Sequence, residues 1–123
     1  MNVPADGKEL TGTELKQLAQ QSEMRREPLL VMFVTPLCGT CRVALRMLEI
    51  AEATDPTVHV YRCNINTAPE LAQRWRIASV PALASIVRGE AAHVLYRMES
   101  VGRMFSWLQQ HRQIEMEGNE HGT

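Results

Sequence analysis

Leu29-Leu30-Val31-Met32-Phe33-Val34-Thr35-Pro36-Leu37-Cys38-Gly39-Thr40-Cys41 is the stretch on which the reading of this chain turns. Its first six residues are apolar without alternation, and Pro28 and Pro36 bound them. A short continuous apolar run between breakers suits a strand buried on both faces. Thr35-Pro36-Leu37 then makes a loop. From residue 38 to about residue 54 the pattern turns helical. Val43, Met47, Leu48 and Ala51 fall on one face, and Arg42, Arg46, Glu49 and Glu52 on the other. Cys38 and Cys41 therefore stand where a buried strand hands over to a helix.

That placement gives two thiols different work. With two residues between them, the sulfurs reach a bond of ~2 Å when the turn is helical. The unsatisfied N–H groups and the macrodipole at a helix start favour an anion, so a thiolate there has its pKa lowered from ~8.5. Gly39 carries no side chain to block a partner approaching Cys38. Cys38, at the helix mouth, is thus expected to attack a disulfide and form a mixed disulfide. Cys41, one turn deeper, is expected to attack Cys38's sulfur and release the reduced partner. Arg42 either adds positive charge at the pair or points into solvent.

Working outward, Thr11 and Glu14 have capping-box spacing, and Leu15, Leu18 and Ala19 follow at helical intervals. This predicts an irregular start, a short strand near 8–11 and a helix over 12–24, closed before Pro28. Residues 58–65 read as a second strand. Thr67 and Pro69 predict a helix start, with Thr67 as cap, running to about Trp75. Residues 77–81 connect to two strands, 82–87 and 93–98, paired as a hairpin around Gly89 and Glu90. A last helix over 101–113 buries Met104, Phe105 and Leu108, with Trp107 beside them, and 115–123 frays. Strands alternating with helices pair in parallel, and the final two pair antiparallel. The fold class is α/β: a central mixed sheet with helices on both faces.

Composition agrees with one globular domain over 1–123, its core spanning about 8–112 and 113–123 a flexible tail. Of the 123 residues 45% are apolar and 22% charged, close to the globular average. A net charge of −1 builds no basic field, which argues against nucleic acid and an anionic membrane surface. No basic region followed by an apolar stretch opens the chain, so a cytoplasmic location is expected. The longest apolar run is far short of the ~20 residues a membrane helix needs. Three cysteines, Cys38, Cys41 and Cys63, make no disulfide scaffold. Such a pair in a reducing compartment points to redox chemistry or metal. A zinc site needs four ligands, and Cys63 stands alone without a close His pair; a zinc or iron–sulfur site shared between two chains is the rival reading. Cys63, on the second strand, reads as a buried structural thiol, with a regulatory, oxidisable thiol as the alternative. His59 and His93 look isolated, and His111 and His121 solvated.

Leu30 to Cys41 resembles the active-site strand, loop and helix of the thioredoxin-like family. Ala78-Ser79-Val80-Pro81-Ala82-Leu83 resembles that family's segment around its cis-proline. The resemblance covers about 8–112. It implies the thioredoxin fold, a Cys-Gly-Thr-Cys active site (Cys38, Gly39, Thr40, Cys41), and a cis Val80–Pro81 bond beside Cys38. The backbone of Val80 would then pair with an extended substrate peptide, recognition that tolerates many side chains. It implies a thiol–disulfide oxidoreductase that needs neither metal nor organic cofactor and acts on protein disulfides or low-molecular-weight mixed disulfides. Electrons come from a thioredoxin reductase or a thiol pool, and the protein is expected to act as a monomer.

Several positions depart from the family pattern. Met32 replaces the buried acid that helps move protons at the resolving cysteine. Leu37 replaces a tryptophan, Thr40 the proline inside the motif, and Ala82 a residue that is often threonine. Arg97 stands where a small residue usually lines the substrate groove. The two residues inside the motif tune the potential, and ~30 mV corresponds to ~1.4 kcal/mol. These changes point to an accessory reductase with narrower partners, Arg97 favouring low-molecular-weight mixed disulfides. The alternative is a binding module of the same fold with little redox turnover, for which Met32 and Ala82 speak.

Overall fold

The computed structural model describes residues 8–24 and 27–112. The irregular start, the residues beyond 112, Gln113 as a helix end, the fraying tail and His121 lie outside them. Glu9–Leu10 forms β1, Gly12–Ser22 α1, Leu29–Val34 β2, Gly39–Thr54 α2 and Val60–Asn64 β3. After a 3-10 turn at Ile65–Thr67 come α3, Pro69–Arg74, then β4, Ala82–Val87, β5, Glu90–Leu95, and α4, Val101–His111.

The strands lie in the order β1-β3-β2-β4-β5. β3 runs parallel to β1 and β2, joined through helices, whereas β4 pairs antiparallel with both β2 and β5. The unalternating run in β2 has its expected cause. Leu30 and Met32 face a core built with Ala44, Leu48 and Ala51 of α2 and with α4. Val31 and Phe33 face the opposite core, with Leu15 and Ala19 of α1 and Leu71 of α3. A central strand covered on both sides has no solvent face to mark with polar residues.

Helix starts follow local chemistry. Thr11 and Glu14 form the reciprocal capping box of α1. Gly12 is required by contact: a Cβ there would lie 1.9 Å from the carbonyl oxygen of Thr67. The Gly12 amide also donates to the Thr67 hydroxyl at 3.0 Å. That hydroxyl is therefore engaged elsewhere, and Thr67 does not cap α3. Its N-cap is Ala68, which has no capping side chain, and Asn64 caps the 3-10 turn instead.

Three further expectations need correction. Val43 is 57% exposed, and the inward stripe of α2 is Cys41, Ala44, Leu48 and Ala51. The buried face is turned by one residue because β2 and α4 set which side of α2 is covered, which a helical wheel cannot know. The second strand begins at Val60, although Val58 is buried ahead of it. The hairpin is also tighter than expected: Val87 pairs with Glu90, so β5 starts at Glu90 and ends at Leu95. Arg88 and Gly89 both adopt positive φ (53° and 82°), the backbone of a two-residue type I′ turn.

Candidate active site

Cys38 is the N-cap of α2 with extended backbone angles, and its sulfur accepts the Cys41 amide hydrogen at 3.1 Å. The sulfur thus fills the place an Asp or Ser oxygen takes at other helix starts, where orphan N–H groups favour negative charge. The Thr40 hydroxyl lies 3.2 Å from the same sulfur. Hydrogen bonds from the Cys41 thiol and the Thr40 hydroxyl, aided by backbone amides of both, hold the Cys38 thiol below its ordinary 9.0, outweighing a smaller effect of burial. Cys38 is partly exposed, and a Cβ on Gly39 would meet nothing within 4 Å, so the approach is open.

Cys41 is buried under the first turn of α2. Its thiol is pushed above 9.0, first by desolvation and then by its role as donor to Cys38 and by that sulfur's charge. The backbone and hydroxyl of Thr35 hydrogen-bond it and pull in the other direction. Two cysteines of one turn are therefore shifted in opposite directions, the outer thiol towards its anion and the inner one towards its protonated form. The split comes from the helix start: one sulfur receives its N–H groups and the other is covered by it.

Met32 is fully buried against α2 and α4, so no carboxylate occupies that strand position behind Cys41. Its ladder partner on β3 is Arg62. The Arg62 guanidinium forms a two-pronged pair with Glu52 of α2, at 2.9 and 3.0 Å, and Lys8 adds a contact at 3.4 Å. Burial raises the Glu52 carboxyl, but the hydrogen bonds and charge of Arg62 overrule it and leave Glu52 below its usual 4.5. Arg62, Thr35 and Cys41 share the lining of a cavity of about 520 Å³ with Arg42, Cys63 and Asn64.

Cys63 is buried, its sulfur 3.6 Å from the Asn64 carbonyl and 3.9 Å from the Thr67 hydroxyl. Desolvation pushes its thiol above 9.0, so it is held as a neutral core side chain. Among the described residues no group of three or more His, Cys, Asp or Glu side chains gathers as metal ligands would. His111, expected in solvent, stacks at 4.1 Å on His93 and at 4.5 Å on Trp107. The pair joins β5 to α4 across a sequence gap that periodicity cannot bridge.

The Val80–Pro81 bond is cis. Pro81 lines a groove of about 370 Å³ together with Thr40, Val43, Met47, Tyr96 and Met98. Val43, misplaced in the core by its spacing, thus belongs to the wall of this groove, and Leu37, 96% exposed, stands on the loop before Cys38. Arg97 is exposed; its neighbours Tyr96 and Met98, rather than Arg97, line the groove. Thr35, Tyr96 and the Glu52–Arg62 pair escaped the sequence reading. A hydroxyl at a strand end next to the two cysteines was the one available signal for Thr35.

Comparison with known proteins gives a consistent result. The family model described as Thioredoxin matches residues 8–110. "Thioredoxin-like protein YusE" of Bacillus subtilis is 32% identical over 81 residues, 66% of this chain and 76% of its own. "Thioredoxin 1" of a Nostoc species is 30% identical over 83 residues, 67% of this chain and 75% of its own. Among solved structures, thioredoxin NaTrxh from Nicotiana alata superposes with a TM-score of 0.73, covering 86% of this chain and 92% of that one, at 13% identity. Thioredoxin O2 from Arabidopsis thaliana gives 0.70 over 86% and 94%, at 18% identity. At those identities the structural likeness speaks for the fold. No helix among the described residues is long and apolar enough to cross a membrane.

Proposed function

We propose a mechanism on the premise that this chain belongs to the thioredoxin family and is one of its thiol–disulfide oxidoreductases. Cys38 attacks a substrate disulfide as the thiolate, forming a mixed disulfide and expelling one substrate thiolate, which takes a proton. Cys41 then loses its proton and attacks the Cys38 sulfur, closing the Cys38–Cys41 disulfide and releasing the second substrate thiol. Two electrons pass from the dithiol to the substrate. A thioredoxin reductase or a thiol pool returns them.

The observation that carries this reading is the placement of two sulfurs at one helix start: Cys38, at the cap, accepts the Cys41 amide hydrogen at 3.1 Å, and Cys41 is buried one turn in, which displaces the first thiol's pKa down and the second's up. Gly39 leaves the outer sulfur open, and the Thr40 hydroxyl supports its charge. Substrates are protein disulfides or low-molecular-weight mixed disulfides, seated in the groove beside Pro81 with the Val80 backbone pairing to an extended chain. Arg97 offers an exposed positive charge between two groove residues, which favours a substrate carrying carboxylates. The protein acts as one domain, a monomer in the cytoplasm, with no metal and no organic cofactor in the cycle.

Cys41→Ser removes the resolving attack and should accumulate mixed disulfides on Cys38, identified by mass spectrometry after acid quenching of the cell. If nothing accumulates while Cys38 stays reduced and reactive, the two-step mechanism is wrong.

A further inference from the structure

We infer that Tyr96 is a positioning residue of the groove: its hydroxyl fastens the loop ahead of Pro81 to the chain leaving β5. The Ala78 amide donates to the Tyr96 hydroxyl oxygen at 3.0 Å. That hydroxyl donates in turn to the Arg76 carbonyl at 3.3 Å. One side chain thus closes both ends of a turn 18 and 20 residues away in sequence. Its ring lines the groove with Pro81 and Thr40. The same ring packs on the core that Ile77 and Val80 cover.

The loop needs a fastening of this kind. Arg76 has φ 55°, a conformation that L side chains rarely adopt and that persists only where the surroundings hold it. Ala78 and Ser79 are exposed and belong to neither core. The Ile77 amide ties back to Ala72 at 2.9 Å, anchoring the loop to α3 on one side. The Tyr96 hydroxyl anchors it to the chain just past β5 on the other. Between the two anchors and Pro81 lies Val80, whose backbone is the proposed pairing site. This inference rests on that reading of the groove.

Tyr96→Phe keeps the ring and removes only the latch. Pre-reduced wild type and variant would each be oxidised in single turnover, with alkylation quench, by insulin and by bis(2-hydroxyethyl) disulfide, which has no peptide backbone. The expected result is a fall of about fivefold in the second-order rate with insulin, the scale of one neutral hydrogen bond's net contribution, because both bonds lost are exposed and water replaces part of them. The rate with the small disulfide should change less than twofold, and hydrogen exchange at the Ala78 amide should speed up. An unchanged insulin rate, or equal losses with both substrates, overturns the latch. If wild type is oxidised by neither substrate, the proposed function falls first, and the role assigned to Tyr96 falls with it.

Discussion

Replacing Glu52 by glutamine should cost about 3 kcal/mol of stability while leaving disulfide reduction intact at 25 °C. Glu52 and Arg62 are about one-tenth exposed (10% and 11%), and the guanidinium is held at both of its prongs. The neutral amide would leave Arg62 with the Val60 carbonyl, 2.7 Å away, and no counter-charge. Breaking a buried pair by removing one partner costs about 3–5 kcal/mol, and the residual solvent access of both side chains sets the lower end here. At roughly 4 °C per kcal/mol for a chain of this size, the melting temperature should fall by about 12 °C. The two cysteines sit at the opposite end of α2, so the rate of insulin reduction should stay within about twofold well below the melting point. pH adds a signature. The Glu52 carboxyl lies below 4.5 in the folded protein, so the unfolded chain takes up its proton first as the solution is acidified. The pair's contribution is complete above 4.5 and lost as pH falls through the lower folded value, so the wild-type and Glu52→Gln stability curves should converge there. The double variant Glu52→Gln/Arg62→Met should recover most of the loss, because neutral replacement of both partners removes the stranded charge. Urea titrations by circular dichroism from pH 7 to 3 read all of this. A loss under 1 kcal/mol, or curves that stay parallel down to pH 3, would refute the reasoning.

Two shorter expectations follow from the same geometry. Thr40→Val deletes the second-largest hydrogen bond that lowers the Cys38 thiol, so the midpoint of its iodoacetamide pH–rate profile should move up from its position below 9.0; an unmoved profile would mean the hydroxyl faces away from the sulfur in solution. Gly12→Ala drives a Cβ into the backbone of Thr67 and should destabilise by about 1–3 kcal/mol, read from the urea midpoint, whereas an unchanged midpoint would show that the α1 start can shift freely.

Met32 shows how a chain can belong to a redox family and still arrange its interior charges differently. The strand position opposite Arg62 carries a thioether, and the carboxylate that neutralises Arg62 comes from α2. Near Cys41 the polar hydrogen-bonding partner is the Thr35 side chain and backbone. The inner thiol is accordingly held protonated mainly by its own burial.

Much of the architecture was legible because it is written locally. The run at β2, bounded by two prolines, the Thr11–Glu14 box and the helical repeat after Cys38 each depend on neighbours within a few residues. The places of Cys38 at the cap of α2 and of Cys41 one turn in follow from the same local rules. Val43 and Thr67 escape those rules because their environment is set by distant backbone: the packing of α4 and β2 on α2, and the close approach of Gly12. The Tyr96 hydroxyl, the stacked His93 and His111, and the Arg62–Glu52 pair join residues whose spacing carries no period.

By itself, then, the order of amino acids determined the strands, the helices and the two sulfurs at a helix mouth, since dihedral preference, capping and apolar spacing act over one or two turns. Strand register and helix docking decided the rest: which face of α2 is covered, what neutralises Arg62, and how the loop before Pro81 is held. Those contacts exist only after distant segments are brought together, and no stretch of chain encodes its partner's position alone.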